Sequence, residues 1–155
     1  EFLIKQWSAV KNVELLILGS GSLENELKKP DIGKNIRFLG FKDNIKDYLQ
    51  ASDIFILPSF GEGLSNALLE AMSCGLVVIA NKIPANEEVI TNNINGIIID
   101  ILDERELTLT IDKLTKNKEL LDKLGNHARK TVENYFSITR IANLYITLYK
   151  KILSN

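Results

Sequence analysis

A chain of 155 residues sets the scale of one domain, and a 45 % apolar fraction is ordinary for a globular core. A formal charge of −1 provides no field that would draw nucleic acid. The lone cysteine, Cys74, excludes an intramolecular disulfide framework and fits a reducing compartment, and no run of ~18 apolar residues offers a spanning helix. The expected location is therefore cytoplasmic. The chain opens on Glu1-Phe2-Leu3-Ile4, inside an apparent helix carrying Phe2, Leu3, Gln6, Trp7 and Val10, and reads as a piece of a longer protein.

The first predicted strand runs from Val13 to Leu18 and ends in Gly19-Ser20-Gly21. A short helix is expected from Leu23 to Lys29, broken by Pro30. The glycine pair has the form of a partial dinucleotide fingerprint, but Glu24 holds the place of its third glycine, so a dinucleotide site is not expected. A tight strand-to-helix turn and a ligand-facing loop both fit. The second strand, Ile36 to Leu39, ends at Gly40-Phe41, and Ile45, Tyr48 and Leu49 then follow at helical spacing.

The apolar run Ile54-Phe55-Ile56-Leu57 reads as a strand covered on both faces, stopped by Pro58. Gly61 and Gly63 bracket Glu62, which suggests a tight loop open to a ligand. A helix begins near Ser65 or Asn66, both good N-cap types, and ends at Gly75. Leu64, Ala67, Leu68, Leu69, Ala71, Met72 and Cys74 surround most of it, so the spacing predicts a largely buried helix with one polar stripe of Asn66, Glu70 and Ser73. Cys74 reads as a small buried hydrophobe. On such a helix Glu70 needs hydrogen-bonding partners. Glu62 would lie beside the unpaired first-turn amides, where the helix dipole favours anions. Two acids, a glycine loop and an open helix N-terminus suggest a ligand with both phosphate and hydroxyls.

Strand Val77 to Ala80 follows, then a turn and short helix over Ile83 to Ile90, a turn at Asn92 to Gly96, and strand Ile97 to Ile99. Helices are predicted over Leu102 to Thr115, Leu120 to Tyr135 and Ile138 to Ile152. The last carries Ile138, Ile141, Leu144, Tyr145, Leu148 and Ile152 on one side. Alternating strands and helices predict a Rossmann-like α/β domain spanning 1–155, with a parallel sheet, helices on both faces and helices at the C-terminus. Such sheets bind ligands beyond the carboxyl ends of their strands, where Gly19 to Gly21, Gly40-Phe41, Pro58 to Gly63 and Asn81 to Glu88 all fall. His127 reads as a helix residue remote from those ends, and one histidine with one cysteine cannot build a zinc site.

The central segment, with Glu62-x7-Glu70 inside Pro58-Ser59-x-x-Glu62-Gly63 and Glu70-Ala71-Met72-x-x-Gly75-x-Val77-Val78, resembles the signature of retaining GT-B glycosyltransferases of family 4. Gly19-x-Gly21, Phe38-x-Gly40, Asp53, Glu88-Val89-Ile90, Gly96 and Ala128-Arg129 fall in the family's order, so the resemblance covers nearly the whole chain. It implies the C-terminal half of a GT-B enzyme, which binds a nucleoside diphosphate sugar. By position, Glu70 would meet the ribose hydroxyls and Glu62 would face the donor sugar as the catalytic carboxylate. Amides near Gly63, Leu64 and Ser65 would meet the sugar and diphosphate, the Gly19-to-Gly21 turn would join the site, and Phe41 and Lys42 would lie beside the base. Without a ligand, Glu70 would be a solvated helix residue and Glu62 a capping acid.

Pro84-Ala85 replaces two glycines of the family's Gly-Gly-x-x-Glu turn, beside Asn86 and Glu88, and Glu88 could instead cap a local helix. The family's basic pair that clamps the diphosphate would precede this chain, and Lys5 is not assigned that role. The resemblance further implies transfer to a glycan or lipid-linked acceptor bound by an N-terminal half, no metal or other cofactor, no nucleic acid partner, and room for peripheral membrane association of the full-length protein at the inner face. A nucleotide-sugar 2-epimerase and a non-catalytic nucleotide-binding domain are the alternatives.

Overall fold

The computed structural model describes residues 2–28 and 35–154. The elements run α1 (Phe2–Gln6), a 3-10 turn (Trp7–Ala9), β1 (Leu15–Leu18), α2 (Glu24–Leu27), β2 (Ile36–Gly40), α3 (Ile45–Gln50), β3 (Ile54–Leu57), α4 (Asn66–Ser73), β4 (Val77–Asn81), α5 (Pro84–Val89), β5 (Ile97–Ile99), α6 (Glu104–Thr115), α7 (Lys118–Thr131), a π turn (Val132–Phe136) and α8 (Ile138–Leu153). The expected break of the first short helix at Pro30, and Lys29 itself, lie outside the described residues. Every strand pairing is parallel, as the alternation predicts.

The single expected sheet is realised as two ladders, β1–β2 and β3–β4–β5. All four β1 residues are only half-buried, and the short helices α1 and α2 bring one buried residue, Gln6, between them. The two ladders nevertheless share a core. Leu15 and Ile36 pack with Ile54 and Ile56 against a cluster built from Trp7, Val77, Ile79, Ile97, Leu107, Ile111 and Leu124.

β4 is the best-covered strand, with all five residues buried. Its side chains alternate faces at the strand period. Val77 and Ile79 join the cluster containing Leu107, Ile111 and Leu114 of α6, whereas Val78 and Ala80 meet Leu68, Ala71 and Met72 of α4. Helices therefore cover both faces, and each large apolar side chain removed from water contributes roughly 1.5–3 kcal/mol before entropic costs.

Local chemistry sets the ends of the helices. Ser65 caps α4, its Oγ accepting from Leu68 N at 3.4 Å. At the other end Gly75 takes a φ of +82°, Leu76 N donates to Ala71 O and Gly75 N donates to Met72 O, a Schellman turn. Asp103 caps α6 by accepting from Arg105 N and Glu106 N, and Asn117 caps α7 by accepting from Leu120 N. These caps move the start of α6 later, and that of α7 earlier, than the apolar periodicity suggests. Periodicity also missed the π turn (Val132–Phe136), which takes over where the second-last helix was expected to continue to Tyr135.

Two expectations about burial are corrected. Only Leu68, Ala71 and Met72 of α4 are buried; Ala67 is exposed and Leu69 half-buried, so the helix packs by one face onto β3, β4 and α7. Cys74, at its end, is half-buried. The apolar side of α8 stays exposed: none of its described residues is buried, and Ile138 and Leu153 are 87 % and 86 % exposed. A helical period shows that a face is apolar, and packing decides separately whether it is covered.

Candidate functional site at the carboxyl ends of the strands

The turn after β1 and the end of β2 are tied together. Gly19 N donates to Gly40 O at 2.8 Å, with φ of +112° at Gly19 and +69° at Gly40. Both dihedrals lie where side chains other than glycine are strained. Gly21 lies just beyond, at an ordinary φ. Phe41 then projects with 73 % of its surface exposed, beside half-buried Lys42.

The loop after β3 carries Glu62 into solvent. Phe60 in that loop meets Phe2 of α1 edge-on, with ring centroids 5.9 Å apart. Gly61 and Gly63 do not take left-handed backbone, and a Cβ at either would meet no protein atom within 4 Å. The fold therefore does not require glycine at these two positions, which corrects the tight-turn explanation. Absence of side chains leaves the loop amides approachable.

The loop leads into α4. Among the described residues, the amides of Gly63, Leu64, Ser65, Asn66 and Ala67 donate to no protein group, and the first bonds are Leu68 N to Ser65 Oγ and Leu69 N to Ser65 O. Ser65 is buried and its hydroxyl oxygen accepts the capping bond, whereas its own amide is left unpaired; Leu64 is exposed. Glu70 lies one turn further on, exposed on the same stripe as Asn66 and Ser73. Helical side chains tilt toward the N-terminus, so its carboxylate leans toward the strand ends. Its expected burial is thus corrected: Glu70 is solvated, and among the described residues no side chain pairs with the carboxylate of Glu62 or Glu70.

The segment after β4 behaves differently from its glycine-rich counterpart. Pro84 occupies the first turn of α5, where its missing N–H costs nothing. Asn86 is 1 % exposed and donates Nδ2 to Asn81 O at 2.9 Å, which removes it from ligand contact. Glu88 sits in the last turn of α5 and so does not cap its N-terminus. His127, on α7, is bonded through Nδ1 to Ile94 O at 3.1 Å, at the opposite end of the strands. Arg129 donates to Glu133 at 2.8 Å, and that bond holds its pKa above the ordinary guanidinium value.

Two grooves lie elsewhere: one of about 450 Å³ between the π turn and α8, lined by Glu133, Arg140 and Asn143, and one of about 570 Å³ beside Leu102, Arg105 and Leu109. Neither gathers the two acids and the unpaired amides. No described helix is long and apolar enough to cross a membrane.

Residues 2–131 match the family described as glycosyl transferases group 1. The chain is 32 % identical over 142 residues to an Escherichia coli UDP-Gal:alpha-D-GlcNAc-diphosphoundecaprenol alpha-1,3-galactosyltransferase, a match covering 86 % of this chain and 36 % of that protein. Its fold is similar to that of the Anabaena protein HepE in complex with UDP-glucose, with a TM-score of 0.84 at 21 % identity over 96 % of this chain and 44 % of that one. It is also similar to the crystallised C-terminal domain of a glycosyl transferase group 1 family protein from Francisella tularensis, with a TM-score of 0.73 at 24 % identity over 88 % of this chain and 76 % of that one.

Proposed function

Since the chain belongs to the glycosyl transferases group 1 family, we propose that it is the donor-binding domain of a retaining glycosyltransferase. The parent transfers a hexose or N-acetylhexosamine from a nucleoside diphosphate sugar to a glycan or lipid-linked acceptor in cell-surface polysaccharide synthesis. The chain spans 36 % of the length of the Escherichia coli relative, so acceptor binding falls to the rest of a longer protein. Cytoplasmic location, peripheral at the membrane's inner face, fits a lipid-linked acceptor.

The observation that carries this reading is the start of α4, where unpaired amides from Gly63 to Ala67 lie between two solvent-facing carboxylates. Amides at a helix N-terminus attract a diphosphate. Glu70 accepts hydrogen bonds from ribose hydroxyls, and Glu62 faces the sugar, where positive charge develops as the donor bond breaks. The exposed ring of Phe41 stacks beside the base, with Lys42 and the Gly19-to-Gly21 turn completing the wall. This scheme draws its charge stabilisation from amides and carboxylates, and it requires neither a metal nor another cofactor.

Uridine diphosphate is the probe of choice, because the named galactosyltransferase takes UDP-Gal and HepE was crystallised with UDP-glucose. An NMR titration of the chain with UDP is expected to shift the amides of Gly63 to Ala67. No shift at millimolar UDP defeats the reading.

A further inference from the structure

Asn81 closes β4 and is 5 % exposed, yet both ends of its amide are engaged. Oδ1 accepts from Lys82 N at 3.0 Å and from Ile101 N, beyond β5, at 3.2 Å. Nδ2 donates to Ser59 O at 3.1 Å, in the loop that carries Glu62. Its main-chain oxygen accepts from Asn86 Nδ2 and from Ile83 N. One buried side chain thus fastens the loops that follow β3, β4 and β5. Among the described residues, its bond to Ser59 is the one hydrogen bond that ties the Pro58-to-Leu64 loop to another element.

We propose that Asn81 is the positioning residue of the donor site, holding Glu62 and the amides before α4 in register with the other strand ends. The proposal rests on the donor-binding reading above. Only an amide side chain of this length both donates and accepts twice here; a carboxylate cannot donate, and an apolar isostere does neither. Reacting groups must be held to a fraction of an ångström, and a loop without regular structure has little else to hold it.

Asn95 provides a control. It is 4 % exposed and equally bonded, to Val89 O, Thr131 Oγ1 and Thr91 N, but it precedes β5 at the opposite end of the strands. The experiment compares Asn81→Leu, Asn81→Asp and Asn95→Ala in the 155-residue chain. UDP affinity is read by calorimetry well below each melting temperature, together with amide hydrogen exchange. Asn81→Asp keeps the shape and both accepted bonds, and so covers the case in which Asn81→Leu fails to fold.

Both Asn81 variants are expected to weaken UDP roughly 3- to 12-fold, the factor for one net hydrogen bond. Both should also speed exchange over Phe60 to Leu64. Asn95→Ala is expected to lower the melting temperature and leave UDP affinity unchanged. Normal UDP affinity in the Asn81 variants overturns the proposal. So does an equal loss in Asn95→Ala, which would make the effect one of stability, or a loss confined to Asn81→Asp when Asn81→Leu folds, which would make it one of added charge. Failure of the unsubstituted chain to bind UDP at millimolar concentration overturns the donor-binding reading, and this proposal with it.

Discussion

Glu70 and Glu62 are both exposed carboxylates at one end of the sheet, and their environments separate their expected roles. Glu70 projects from the rigid first turns of α4, where it can accept from two neighbouring hydroxyls at little entropic cost. Glu70→Ala is expected to weaken UDP roughly 10- to 150-fold, the range for hydrogen bonds to a charged group, with the melting temperature unchanged because the side chain is exposed. Calorimetry with an unchanged affinity would remove the ribose role. Glu62 stands on a loop rather than a helix and, in the proposed reaction, would face charge that exists only in the transition state. In the full-length enzyme, Glu62→Gln is therefore expected to lower kcat by roughly 10²- to 10³-fold with little change in donor affinity. Unaltered turnover would leave Glu62 as a helix-dipole partner only. The position of both acids, one in the loop before α4 and one on that helix, was legible in the sequence from the glycines and the N-cap around them. The solvation of Glu70 was not, because the one-dimensional pattern shows how apolar a helix is and says nothing of which side has a neighbour. The bonds of the Asn81 side chain were not legible for a related reason: they reach backbone 20 and 22 residues away in sequence.

At the scale of elements, strands β3, β4 and β5 and the span of α4 could be read almost to the residue, because β-branched runs, Pro58, Ser65 and Gly75 punctuate them. The split into two ladders could not, since it depends on hydrogen bonding between strands that lie apart in sequence. Nor could the π turn, whose i to i+5 bonding leaves no distinct period. A close contact of α7 was equally silent. A Cβ built on Gly125 would lie 2.1 Å from Gly75 O, so α7 crosses the turn that ends α4 with room for a hydrogen only. Gly125→Ala pits better helix propensity, worth about 1 kcal/mol, against overpacking on immobile backbone, which costs roughly 1–3 kcal/mol. Because the neighbour is a main-chain carbonyl, overpacking should win. A lowered denaturant midpoint at unchanged m-value is expected; a raised midpoint would mean that the helix slides freely over the turn.

For the whole molecule, the parallel ladders, the two-sided burial of β4 and the shared core lead to the expectation that this chain folds by itself. Its site nevertheless offers a diphosphate mainly amides at one helix N-terminus. The dipole there contributes only ~0.3–2 kcal/mol. Uridine and UDP should therefore differ in affinity for the isolated chain by roughly 2- to 30-fold, read by NMR titration, with modest salt dependence because the helix N-terminus meets the diphosphate with partial charges only. Transfer is a harsher demand than binding. It needs an acceptor held in line with the donor and water kept away, and the strand ends with Phe41, Phe60 and Leu64 lie open to solvent in this chain. A donor-consumption assay with the 155 residues and a sugar acceptor is expected to show no glycosyl transfer, whereas the full-length protein should turn over. Transfer by the isolated chain would place the acceptor site on these strand ends and end the division of labour proposed for the two halves. An affinity for UDP more than about a hundredfold above that for uridine would show a phosphate clamp within the chain, beyond what a helix N-terminus supplies.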